Sequence, residues 1–261
     1  MNTDTLDKMR RMRLSGMHRA FKTTMEQPGQ TYTADEMIAL LIESEWDDRH
    51  NRSIERTMHK ARFRYKATIE QVDYSNERGI DKNLVHRLAE GEFINRKENV
   101  LITGSTGTGK SFLASAIGHQ ACQLGFKVLY ANTTRLLAQL KMAKADGSSI
   151  KELTRIEKQD LLILDDFGIQ PFDHQSRASL LDIIEDRHGK RSTIITAQIP
   201  VKQWYDLIGE KTVADAIMDR LVHNAQRIEL TGESLRRKWA RKQADKNDYK
   251  RLTLYLNITP L

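Results

Sequence analysis

Residues 104 to 111 read Gly104-Ser105-Thr106-Gly107-Thr108-Gly109-Lys110-Ser111, with an apolar run before them and a helical pattern after. Glycines at this spacing let the backbone curl so that its amides converge on one point, and the start of the next helix adds partial positive charge there. Converging amides at a helix start bind phosphate. The full pattern assigns Lys110 to the β- and γ-phosphates of a nucleoside triphosphate and Ser111 to magnesium.

Further along, Leu161-Leu162-Ile163-Leu164 leads into Asp165-Asp166, and Ser192-Thr193-Ile194-Ile195-Thr196 leads into Ala197-Gln198. Parallel strands present their carboxyl ends on one edge of a sheet, so Asp165 is expected to meet the magnesium held beside Ser111. Asp166 is then placed to orient an attacking water. Many ATPases of this kind carry Glu in that second position, one methylene longer. Gln198 or Thr196, at the tip of the next strand, is positioned to hydrogen-bond the γ-phosphate or the water.

These residues need a scaffold that brings strand tips together, and from about residue 98 the chain has its texture: short apolar runs alternating with helical patterns. Strands are predicted at Asn99–Thr103, Lys127–Tyr130, Leu161–Leu164, Ser192–Thr196 and Gln226–Leu230. Helices are predicted after the loop to about Cys122, near 134–144, 151–158, 175–188 and 201–208, over 212–224, and from Ser234 to about Lys250. The fold class is α/β, a P-loop domain with a parallel sheet flanked by helices. An all-helical domain precedes it and a basic helix follows, with domains at 1–95, 96–237 and 238–261.

The leading segment is read as helical because apolar residues recur every three to five positions. Leu6, Met9, Leu14, Met17 and Phe21 mark an opening helix weakened at Ser15-Gly16. Gln27-Pro28-Gly29-Gln30 breaks the pattern, and Thr33-Ala34-Asp35-Glu36 has the form of a capping box before Met37, Ile38, Leu41, Ile42 and Trp46. Arg49, Arg52, Arg56, Lys60, Arg62, Arg64 and Lys66 then face a single acid, Glu55. On one helix Arg52, Arg56 and Lys60 form a positive ridge about 12 Å long, suited to phosphates. Phe63 and Tyr65 serve either stacking on bases or packing.

Of the 261 residues, 42 are Lys or Arg and 35 are Asp or Glu, a net charge of +7. The excess lies at the ends: residues 1–97 carry 18 basic and 16 acidic side chains, 98–234 carry 16 and 17, and 235–261 carry 8 and 2. A near-neutral centre with basic flanks fits polyanion contacts outside the core or, more simply, solvated charged faces. The longest notable apolar run, Met37–Ile42, is far short of a membrane span, and no secretory pattern opens the chain. Cys122 is the single cysteine, so an intramolecular disulfide and a multi-thiolate zinc site are excluded. The eight histidines show no metal-binding spacing. A cytoplasmic setting is expected.

The phosphate loop, the Asp165-Asp166 strand, the Thr196-Ala197-Gln198 tip, Asp219-Arg220-Leu221 and Gly232-Glu233-Ser234-Leu235-Arg236 together resemble the AAA+ ATPases of the bacterial helicase-loader branch. Within that branch the chain is most similar to the IstB family, helper ATPases of IS21-type insertion sequences. Gln198 stands where loaders often have Asn. The resemblance implies an oligomeric, Mg2+-dependent ATPase with ATP between neighbouring protomers. It casts Arg220 as an arginine finger given to the next subunit and Arg236 as a second sensor acting on its own subunit's nucleotide. It also implies sequence-indifferent binding of double-stranded DNA, assembly on it as a homo-oligomer, recruitment of the transposase of the same insertion sequence, and no membrane. Lys141, Lys144 and Lys151 become DNA-facing candidates beside Arg52, Arg56, Lys60, Arg62 and Arg64. A replicative helicase loader and a small-molecule P-loop kinase are the competing expectations.

Overall fold

The computed structural model describes residues 2–27, 32–235 and 237. The chain divides into two compact units, one up to His59 and one from Lys60. On this division residues 60–95, grouped above with the leading helices, pack with the sheet-bearing unit.

In the first unit the single opening helix expected from the pattern is two, α1 (Asn2–Arg11) and α2 (Ser15–Glu26). The break falls at Arg13, whose φ is +59°. α3 (Ala34–Ala61) opens on the capping box: the Thr33 amide donates to Glu36 Oε2 (2.8 Å) and the Glu36 amide to Thr33 Oγ1 (3.3 Å). Gly16 lets α2 lie against α3, because a Cβ there would strike the Ser44 carbonyl. Buried Glu45 then accepts the Gly16 and Met17 amides (2.8 and 3.3 Å), groups with no partner inside α2. Ile38, Ile42 and Trp46, read as apolar helix positions, are exposed.

The second unit is built on a five-stranded, wholly parallel sheet. In chain order its elements are α4 (Lys82–Ala89), α5 (Glu92–Asn95), β1 (Asn99–Gly104), α6 (Lys110–Gln123), β2 (Val128–Asn132), α7 (Thr133–Ala145), α8 (Ser149–Glu157), β3 (Leu161–Phe167), α9 (His174–Arg187), β4 (Ser192–Ala197), α10 (Trp204–Ile208), α11 (Lys211–Val222) and β5 (Ala225–Leu230). The strand order is β2-β3-β4-β1-β5. The inner strands β1, β3 and β4 are almost continuously buried, as expected for a parallel sheet covered on both faces. α6 covers one face, where Gly118 brings it against Ile163. Leu101, Leu129, Leu162, Leu164 and Ile195 point the other way, into a cluster with side chains of α7, α9, α10 and α11.

Two strand ends differ from the sequence reading by two residues or more, the others by at most one. β2 runs on to Asn132, and β3 continues through Asp165-Asp166 to Phe167, with its register against β4 shifted between Leu164 and Phe167. The helix expected over 201–208 is a short 3-10 turn followed by α10. The basic helix expected beyond Ser234 lies, apart from its first residues, outside the described part. Among the described residues no helix is long and apolar enough to cross a membrane.

Candidate nucleotide site

The loop between β1 and α6 has the backbone that its glycines foretell. Gly104, Gly107 and Gly109 have φ of +145°, +85° and +99°. A Cβ on Gly104 would collide with the Leu230 carbonyl of β5, and one on Gly107 with the Ser234 side chain. The Leu235 amide donates to the Gly107 carbonyl (2.9 Å), so Ser234-Leu235 lie against the loop. Arg236 itself lies outside the described residues.

Side chains fasten the loop from within and behind. Lys110 Nζ donates to the Gly104 and Ser105 carbonyls, both at 2.8 Å. The Thr108 hydroxyl donates to the Ser105 carbonyl (2.8 Å) and the Thr106 hydroxyl to Gln198 Oε1 (2.8 Å). The last of these bonds brings the tip of β4 to the loop. Arg78 was not foreseen: fully buried, it donates to the Thr108 carbonyl (3.1 Å) and pairs with Asp73 (3.4 Å).

Ser111, on the first turn of α6, donates to Asp165 Oδ1 (2.7 Å). The β1–β4–β3 pairing makes this meeting possible: Ile102 is in register with Thr196, and the Thr196 hydroxyl donates to the same Asp165 oxygen. Tyr130 of β2 donates to Asp165 Oδ2. Burial, then this bond, hold the Tyr130 phenol above its ordinary pKa, so it stays a proton donor to the carboxylate. Thr196, a candidate for the γ-phosphate, is instead fully buried, and it also accepts the Asp166 amide (3.1 Å).

Asp166 has a left-handed backbone, φ +58°, at the register shift of β3. Its carboxylate accepts from Asn132 Nδ2 (3.1 Å) and Arg64 Nη1 (3.1 Å), and Arg64 Nη1 also reaches Asp165 Oδ2 (3.3 Å). Asn132 carried a legible signal that went unused, since a polar residue at the tip of a parallel strand faces the same sheet edge as Asp165.

The donor set fits magnesium. A serine hydroxyl and a buried carboxylate are hard oxygen donors, and among the described residues no cluster of His, Cys, Asp and Glu offers a fuller cage. Such a sparse set suits a cation that keeps several waters and takes phosphate oxygens. The loop's curled backbone likewise fits a triphosphate.

The remaining candidates are elsewhere. Arg220, on α11, pairs with Glu185 of α9 (3.0 Å) and donates to the Ala216 carbonyl (2.8 Å). Its own carbonyl accepts from Asn99 Nδ2 (3.3 Å) at the foot of β1. Arg52, Arg56 and Lys60 do share α3 and are exposed, but Arg52 is engaged by Asp48 (2.5 Å), and Arg56 Nε donates to the Arg52 carbonyl (3.1 Å). Lys141 pairs with Asp173 (3.1 Å) and Lys144 with Asp182 (3.7 Å), while Lys151 is exposed on α8. Arg62 is exposed just past α3, and Arg64 is engaged by the acid pair.

The sequence matches the family described as IstB-like ATP binding protein over residues 7–244. A putative insertion sequence ATP-binding protein of Sinorhizobium fredii, y4pL, is 46% identical over 239 residues, which is 91% of this chain and 98% of that one. Among solved structures, that of DnaI aligns with a TM-score of 0.56 at 24% identity, covering 68% of this chain and 94% of its own. That of the DnaC helicase loader aligns at 0.53 and 20% identity, covering 64% and 98%. These two likenesses show a common fold. With its phosphate loop in that fold and its sequence matched almost from end to end, the chain belongs to the IstB-like ATP-binding protein family of insertion sequences.

Proposed function

We propose that this chain is an ATPase that assembles on double-stranded DNA without regard to sequence and there recruits and stimulates the transposase of its insertion sequence. Lys110 and the loop amides bind the triphosphate, Ser111 and Asp165 hold Mg2+, and Asp166 orients the water, with Gln198 beside the loop. Mg2+ when bound screens the phosphate charge. Arg220 completes the site of a neighbouring protomer, and Arg236 acts on its own.

The observation that carries the reading is the place of Arg220. Its backbone is tied to Asn99 at the foot of β1, whereas the loop begins at Gly104, about 16 Å up the strand at roughly 3.3 Å per residue. An arginine side chain does not span that distance, so Arg220 can act as a finger only on the γ-phosphate of a neighbouring protomer, and turnover then depends on assembly. The exposed Arg56 and Lys60, with Arg52, Arg62 and Lys151, are phosphate contacts that position without reading bases.

Turnover measured against protein concentration, with and without duplex DNA, tests this. Specific activity rises with both if the reading holds. Full activity in a monodisperse, duplex-indifferent protein refutes it. Pull-down with the cognate transposase against a hexameric replicative helicase separates transposition from helicase loading, and capture of the helicase alone assigns the chain to loading.

A further inference from the structure

We propose that Arg64 is a positioning residue for the metal site: its guanidinium bridges Asp165 and Asp166 from the side opposite Ser111, weakens the hold of Asp165 on a divalent cation, and is released as the metal loads. The proposal rests on the reading of Ser111 and Asp165 as the metal site.

The same Arg64 nitrogen lies 3.3 Å from Asp165 Oδ2 and 3.1 Å from Asp166 Oδ2, so one cation bridges both carboxylates. Asp165 offers its other oxygen to Ser111, where the metal belongs. A guanidinium and a divalent cation on opposite oxygens of one buried carboxylate repel each other across it. Arg64 therefore competes with metal without occupying its coordination position.

The backbone that carries Arg64 is held fast while its side chain has room. α3 ends at Ala61, and Arg62 turns the chain with φ +58°. Phe63 then fills a slot over Gly118, where a Cβ would collide with the ring, and packs against His119 with ring centroids 4.3 Å apart. The Arg64 side chain is 42% exposed, and while it holds the acids its guanidinium carbon also lies 5.6 Å from the centroid of the Tyr65 ring, a contact of cation–π type. Arg64, Asp165 and Asp166 line a cleft of about 500 Å³ that Arg62, Arg135 and Arg155 line as well, which leaves the guanidinium open space on one side.

Mn2+ binding, followed by the spin-resonance signal of the free ion, tests the proposal on the wild type, Arg64→Gln and Arg64→Lys. Removing the charge is expected to tighten Mn2+ binding about tenfold, and lysine is expected to restore weak binding. A structural role would loosen binding, not tighten it. In the unmutated chain, Mg2+ with ADP should speed modification of Arg64 by phenylglyoxal severalfold, read by mass spectrometry, which keeps the test open if a variant fails to fold. Unchanged Mn2+ affinity in a folded Arg64→Gln protein, tightening by Arg64→Lys as well, or labelling indifferent to Mg2+ and ADP would each overturn the proposal. A wild type that binds no nucleotide would overturn the underlying site reading, and the inference with it.

Discussion

Arg220 and Glu185 form an ion pair at 3.0 Å between α11 and α9, away from the loop of their own protomer. For Arg220 to serve a neighbour, assembly has to draw it off Glu185. Arg220→Ala is therefore expected to bind nucleotide normally and to hydrolyse it at least about 10³-fold more slowly. Mixing it with Lys110→Ala protein should recover turnover, since each supplies what the other lacks. Steady-state phosphate release from the mixture reads this directly, and no recovery would place Arg220 outside the site.

Lys110→Ala alone removes the ammonium that spans the Gly104 and Ser105 carbonyls, and with it the charge we propose for the β- and γ-phosphates. Its affinity for a fluorescent ATP analogue should fall at least about tenfold, in line with the removal of a charge-assisted hydrogen bond. Undiminished affinity would remove the lysine from the phosphate site.

Neutralising Arg52, Arg56 and Lys60 together should weaken duplex binding and flatten the slope of log affinity against log salt, by up to about 0.9 for each phosphate that the protein no longer neutralises. The three are not equivalent. Arg52 already faces Asp48 at 2.5 Å, so Arg52→Ala should change the slope less than Arg56→Ala. Equal slopes in all variants would assign the ridge to packing or to a protein partner.

Glu45 gives the first unit an acid sensitivity. Burial opposes its charge, but Arg49 and the Met17 and Gly16 amides outweigh that and hold its pKa below the ordinary value. Its contribution is thus complete above the unfolded carboxyl range near 4.5 and is lost as pH falls through the lower folded value. Glu45→Gln should cost about 1 to 3 kcal/mol at neutral pH and should remove part of the acid limb from the dependence of thermal stability on pH. An unaltered acid limb would mean that other carboxylates carry it.

The loop, Asp165 and the parallel sheet were legible because each is encoded locally, in a glycine pattern or in an apolar run between helical patterns. Asn132 and Tyr130 were within reach of the same logic, since both lie near the end of a predicted strand. Arg64 was not: its direction depends on the left-handed turn at Arg62 and on a slot that Gly118 opens for Phe63 from a distant helix. Charge was legible as composition and not as availability. The acids that occupy Lys141 and Lys144 come from the α9 region, and no spacing within α7 announces them. The exposed Ile38, Ile42 and Trp46 show the converse, an apolar helical spacing that the first unit does not bury.

The left-handed conformation of Asp166 bears on why the shorter acid occupies that position. Asp and Asn tolerate positive φ better than longer side chains, so at this kink the main chain, rather than an added methylene, sets how far the carboxylate extends. Substituting glutamate would strain the kink while lengthening the arm. Asparagine, by contrast, keeps both shape and backbone preference, which makes it the clean way to silence the second acid.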